Sequence, residues 1–167
     1  MQTATAFHPV ITPAEIAQTA QLADEIWHEC FSGMIGAEQI DYMVERFQSA
    51  VAMQAQIAAG YVYYTVTVGG ETAGYFAYQP TEGTLFLSKL YIRRDYRGCG
   101  LAGEAFRFLK DIAARERLTK LWLTVNRGNV GAIAAYKRFG MHIEREQVKD
   151  IGGGFVMDDY IFAFDMA

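Results

Sequence analysis

Between Leu90 and Gly103 the chain reads Leu-Tyr-Ile-Arg-Arg-Asp-Tyr-Arg-Gly-Cys-Gly-Leu-Ala-Gly. An apolar strand pattern ends at Ile92. A basic turn and a run with three glycines follow, and then an amphipathic helix carries Leu101, Ala105, Phe108, Leu109 and Ile112 on one face. This stretch constrains the fold most, because it ties a sheet strand directly to a helix start. Small residues let the backbone come close to a ligand, and the unpaired N–H groups of the first helical turn point at it. Arg93, Arg94 and Arg97 add positive charge. The stretch therefore reads as a diphosphate-binding loop; the bland alternative is a tight turn before a helix.

The 167 residues suffice for one domain with a sizeable core. The net charge of −4 leaves no basic footprint for nucleic acid and is compatible with a small cationic substrate. Cys30 and Cys99 make neither a metal spacing nor a disulfide framework, so a reducing cytoplasm is expected. His8, His28 and His142 are scattered and suggest no metal site. Met1 to Val10 lacks the basic region and apolar core of a secretory signal, and no apolar run is long enough to span a bilayer.

In chain order, Phe7 to Ile11 reads as a strand. Thr12, Pro13 and Glu15 form a helix start with a capping box, and that helix runs to about Glu29. Two glycines break it before a second helix carrying Ile40, Met43, Val44, Phe47 and Val51. A short third helix covers 50–59. Tyr61–Val68 and Thr72–Tyr78 are strands joined at Gly69-Gly70; Pro80, Glu82 and Gly83 turn the chain into the strand Thr84–Ile92. Beyond the loop helix, Leu121–Val125 is an apolar strand expected to be central and buried on both faces. Asn129 starts a helix that Gly140 ends in a left-handed cap with Met141 as apolar partner. His142–Val148 and Phe155–Phe164 close the chain around a flexible Gly152-Gly153-Gly154 link. Hairpins mixed with crossovers imply a mixed sheet with helices on both faces.

Two motifs sharpen this. Arg97, Gly100 and Ala102 fill the pattern Arg/Gln-x-x-Gly-x-Gly/Ala. Asn129, Ala132, Tyr136 and Phe139-Gly140-Met141 fill a second, Asn-x-x-Ala-x-x-x-Tyr with an aromatic-Gly-apolar end. With these motifs at consistent separation, the sequence resembles the GNAT superfamily of N-acetyltransferases over nearly its whole length. The resemblance implies an α/β fold, a GNAT-like single domain over 1–167. Its central sheet would be mixed, mostly antiparallel, with about seven strands. It implies acetyl-CoA as co-substrate and no metal. Backbone N–H groups of Gly98, Cys99, Gly100, Leu101, Ala102 and Gly103 would hold the CoA diphosphate, with Arg97 and Arg93 or Arg94 screening its charge. Backbone groups of Leu90, Tyr91 and Ile92 would pair with the pantetheine arm in a gap beside strand 121–125. An N–H near Leu90 would polarise the acetyl carbonyl. Tyr136 would protonate the leaving thiolate, since a tyrosine (pKa ~10) is protonated at neutral pH and a thiol has pKa ~8.5. Periodicity alone favours a tyrosine packed on the sheet, and the motif match reverses that. Asn129 is a helix cap, a contact to the CoA arm, or both. Cys99 is read as a backbone contributor, with a nucleophilic thiol as the alternative.

The base is not readable. Many family members carry a glutamate on the strand before the loop; Leu85-Phe86-Leu87-Ser88-Lys89-Leu90 has no carboxylate. A water chain, or Glu82, Asp158 or Asp159, would serve instead. Strand alternation puts Asp158 and Tyr160 on one face and Asp159 on the other. The segment Gly152–Tyr160 is either a solvent-facing edge with a mobile hairpin or one wall of an acceptor site, with Glu82, Asp158, Asp159 and Tyr160 as substrate-binding candidates. It is similar to a segment of bacterial polyamine (spermidine/spermine) acetyltransferases. The expected function is transfer of acetyl from acetyl-CoA to a primary amine by direct attack in a ternary complex, with a small amine or polyamine as acceptor. Acetylation of a protein N-terminus or lysine, and CoA binding without catalysis, are the alternatives. A homodimer stays open.

Overall fold

The computed structural model describes residues 4–166, so Met1 to Thr3 of the N-terminal stretch and Ala167 lie outside the described residues. The strands are β1 (Thr5–Pro9), β2 (Val62–Val68), β3 (Glu71–Thr81), β4 (Thr84–Ile92), β5 (Lys120–Asn126), β6 (His142–Gly152) and β7 (Phe155–Asp165). The α-helices are α1 (Pro13–Phe31), α2 (Ala37–Phe47), α3 (Ala50–Ala58), α4 (Leu101–Arg115) and α5 (Val130–Arg138). The sheet order is β1-β2-β3-β4-β5-β7-β6, and β4–β5 is its parallel pair. One buried cluster joins the sheet to α4 and α5 on one face; another joins it to α1, α2 and α3 on the opposite face.

Local chemistry explains most boundaries. Thr12 and Glu15 close the capping box at the start of α1 through reciprocal bonds of 3.2 and 2.8 Å. That helix runs past Glu29 to Phe31, whose ring packs 4.4 Å from Trp27 and anchors the last turn. β3 continues through Pro80, which was expected in the turn. β2 ends at Val62 opposite Tyr78, so Pro80 has a strand neighbour on the β4 side alone and costs no ladder bond. β5 is buried at alternate positions rather than throughout. Leu121, Leu123 and Val125 enter the α4–α5 core, while Trp122, Thr124 and Asn126 are half-buried.

β6 extends past Val148 to Gly152, and the three glycines are not a loose tether. Tyr42 of α2 donates to the Ile151 carbonyl at 2.8 Å, and its ring lies where side chains at Gly152 and Gly153 would project. Two features at the sheet centre shape everything that follows. Ser88 is an extra residue in β4, a bulge between the pairs Leu87↔Tyr78 and Lys89↔Ala77. And the β4–β5 ladder stops at Leu87↔Leu123, so the two strands part from there to their ends.

Candidate active site

The parting of β4 and β5 leaves backbone groups without strand partners. Arg93 N–H donates to Ala73 of β3 at 2.7 Å. Because alternate residues of a strand face opposite neighbours, Leu90 and Ile92 direct their backbone groups into the gap, and Tyr91 directs its own toward β3. Arg97 Nε donates to the Ile92 carbonyl at 3.2 Å, while among the described residues Leu90 has no strand partner on the gap side. Of the three residues expected to pair with an extended ligand arm, two are oriented to do so.

The loop beyond β4 leaves a run of backbone donors open. Gly98 and Gly100 hold φ of 78° and 81°, which glycine adopts without strain, and Gly100 caps α4 with no side chain in the way. Among the described residues, no backbone N–H from Gly98 to Gly103 has a protein acceptor, so six donors stay free. The arginines divide. Arg93 pairs with Glu25 at 2.7 Å, and Arg94 donates to the Glu29 carbonyl at 3.0 Å, so both brace the loop against α1. Arg97 also reaches the Cys30 thiol. Cys99 is exposed, its thiol directed at the Arg97 carbonyl.

α5 is bracketed tightly. Asn129 Oδ1 accepts the Ala132 N–H at 3.2 Å. At the other end Gly140 (φ 91°) turns left-handed, and the N–H groups of Gly140 and Met141 close on the carbonyls of Lys137 and Tyr136. Tyr136 is thereby held at the last turn of α5, 9% exposed. Its hydroxyl has no protein hydrogen-bond partner among the described residues, and burial pushes its pKa well above the ordinary value.

Tyr136 and Asn129 meet β4, β5, α2 and the β6–β7 hairpin around a cavity of about 560 Å³. Asp159 is in its wall, 2% exposed, with Oδ1 buried and unpartnered. Burial, and the neighbouring Asp158 carboxylate, push the Asp159 carboxyl up to about 6. Lys89 is in the wall as well, 6% exposed, its Nζ donating to the Phe47 carbonyl, Gln56 Oε1 and Tyr63 OH. Burial pulls it down to about 7.

The other acceptor candidates lie elsewhere. Asp158 and Tyr160 face away from Asp159, as alternation requires, and with Glu146 they bind the Arg127 guanidinium. Glu82 is exposed in the β3–β4 turn, at the far end of β4 from the gap. Lys89 had no assigned role in the sequence; the signal was a lone cation at a position of an apolar strand.

A family model described as "Acetyltransferase (GNAT) family" matches residues 20–141. The chain belongs to the acetyltransferase (GNAT) family. It is therefore an acyltransferase. Solved structures show the same fold over almost the whole chain. A GCN5-related N-acetyltransferase from Rhodopseudomonas palustris superposes with a TM-score of 0.81 at 14% identity, over 99% of this chain and 98% of that one. A PaiA N-acetyltransferase from Thermoplasma acidophilum, in complex with coenzyme A, superposes with a TM-score of 0.76 at 14% identity, over 98% and 99%. The ribosomal-protein-S18-alanine N-acetyltransferase from Escherichia coli gives 0.71 at 19% identity, over 98% and 96%.

Proposed function

We propose that the protein transfers an acetyl group from acetyl-CoA to a small primary amine by direct attack in a ternary complex. One observation carries this reading: an unpartnered buried phenol, Tyr136, and an unpartnered buried carboxyl, Asp159, line one cavity where β4 and β5 part. Acetyl-CoA supplies a thioester whose carbonyl the amine attacks and whose thiolate leaves. The free N–H groups of residues 98–103, at the start of α4, suit its diphosphate. Leu90 N–H, in the gap, is placed to polarise the acetyl carbonyl. Tyr136 stays protonated at neutral pH and donates to the leaving sulfur. Asp159 is the carboxylate that the apolar strand before the loop lacks. Half-ionised near pH 6, it receives the ammonium and takes its proton. The free thiols of Cys30 and Cys99 suit a reducing cytoplasm.

A small acceptor is favoured over a protein tail. An open groove between α1–α2 and the β6–β7 hairpin would suit a polypeptide. Instead Gln39 donates to the Val156 carbonyl at 3.0 Å and Tyr42 to Ile151, bridging α2 to the hairpin. A polyamine finds little support: Arg46, Lys89 and Lys149 line the cavity against two carboxylates, Asp150 and Asp159. Thiol release from acetyl-CoA, measured over a panel of amines, amino acids and peptides, tests the reading. Release with small amines that falls in Tyr136→Phe is expected; no release with any member of the panel would sink it.

A further inference from the structure

Asp159 and Lys89 are buried ionisable groups of opposite sign in the wall of one cavity, and neither has a charged partner among the described residues. Among the described residues no protein donor meets the Asp159 carboxyl, and the three N–H donors of the Lys89 ammonium are all taken by neutral acceptors, so Lys89 offers a ligand its charge and no further hydrogen bond. Burying an uncompensated charge is costly, so such groups persist where a ligand completes them. The two stand on the same sheet face. Lys89 reaches toward α2 and α3, and Asp159 shares its face with Met157, which packs in the α1–α3 core. β5 lies between β4 and β7 and has parted from β4 at Lys89, so the two backbones are more than two strand spacings apart, upward of about 10 Å. Arg46 is exposed in the last turn of α2, next to Phe47, whose carbonyl Lys89 holds. It lines the same cavity and has no ion-pair partner among the described residues. At the mouth, Lys149 and Asp150 are adjacent and of opposite sign. Phe31, Met43, Phe47 and Met157 add apolar surface to the same cavity.

From this we infer that the acceptor is zwitterionic: its amino group seats at Asp159, and a carboxylate several carbons away seats at an anion subsite where the Arg46 guanidinium makes the contact and the buried Lys89 ammonium adds its charge from behind. The inference rests on the acetyl-transfer reading for the amine end, but the anion subsite is testable by binding alone.

Three ligands of equal chain length separate the cases: ε-aminocaproate with an anionic tail, n-hexylamine with a neutral one, and hexamethylenediamine with a cationic one. Their binding to the protein–CoA complex is measured by calorimetry. ε-Aminocaproate is expected to bind about tenfold tighter than n-hexylamine, the worth of one charge-assisted contact, and hexamethylenediamine most weakly. Arg46→Glu changes an exposed residue, so it should fold, and it should place hexamethylenediamine ahead of ε-aminocaproate. Lys89→Met, which removes the charge behind the contact, should reduce the preference for the carboxylate. Equal binding of the three ligands, absence of binding by all three, or an Arg46→Glu protein with unchanged order would each overturn the subsite. Thiol release is followed in parallel. Preferential binding of ε-aminocaproate without release from any of the three would count against acetyl transfer and leave the subsite standing. Release without preference would do the reverse.

Discussion

Burial acts on Tyr136 and Asp159 in the same direction and makes them opposite tools. A neutral phenol pushed further up stays a proton donor at any working pH. A carboxyl pushed up to about 6 becomes a proton acceptor matched to neutral solution. Tyr136→Phe is expected to lower kcat by about 10²–10³-fold with CoA affinity unchanged by calorimetry; an unaltered kcat would return the ring to a packing role. For Asp159, kcat/KM should rise with pH through about 6 as the carboxylate forms, and Asp159→Asn should remove that limb. The same residue sets a stability term. Its folded pKa lies above the ordinary carboxyl value, so its contribution is fully present below about pH 4 and is lost as pH rises through 6. At pH 8 the Asn variant should therefore melt higher, by about 2–8 °C for the roughly 1–3 kcal/mol involved. A lower melting point would mean that the carboxylate has a partner in the free protein.

Elements place these residues by how they begin and end. α5 is only nine residues long, too short to be stable by propensity, and its caps at Asn129 and Gly140 hold Tyr136 at the cavity. α4 begins with a bare glycine, which leaves its first N–H groups exposed to a ligand. Gly100→Val should cost about 1–2 kcal/mol of left-handed strain and raise the CoA Kd at least about tenfold, since the side chain intrudes where the backbone must be approached. A thermal melt and a CoA titration separate the two effects. The β6–β7 turn has the reverse logic. At Gly153 (φ 63°) an added Cβ would come 2.8 Å from Tyr42 Cε2. Gly153→Ala should destabilise by about 1–3 kcal/mol in denaturant unfolding and loosen the contact of α2 with the hairpin.

For the whole molecule, the decisive fact is one sheet with two faces doing different work. α4 and α5 cover one face and carry the anion loop and Tyr136. α1, α2 and α3 cover the other and close the acceptor side. The β4–β5 gap connects the two sides, so in the proposed reaction donor and acceptor would meet through the sheet itself. The proposed direct transfer uses this arrangement, and under it initial-velocity plots against both substrates should intersect. Parallel lines, or an acetylated protein isolated after incubation with acetyl-CoA alone, would contradict it.

Much of this was legible in the chain. Periodicity, caps and glycine turns foretold the order of elements, because those signals are local: Thr12 and Glu15, or Asn129 and Gly140, act within a few residues of themselves. The loop from Gly98 to Gly103 was readable for the same reason. The reach of β3 through Pro80 was not, since it depends on where β2 stops. Nor was the pinning of the glycine hairpin by Tyr42, more than a hundred residues away. Alternation in β7 separated Asp159 from Asp158 and Tyr160, but only packing decided which face met the cavity and which met Arg127. The sequence by itself determined the sheet-and-helix order and the glycine-rich turn into α4, through local backbone chemistry. Tertiary structure alone decided the burial of Asp159 and Lys89 and the company they keep. Desolvation and charge pairing depend on neighbours that the chain brings together only when folded.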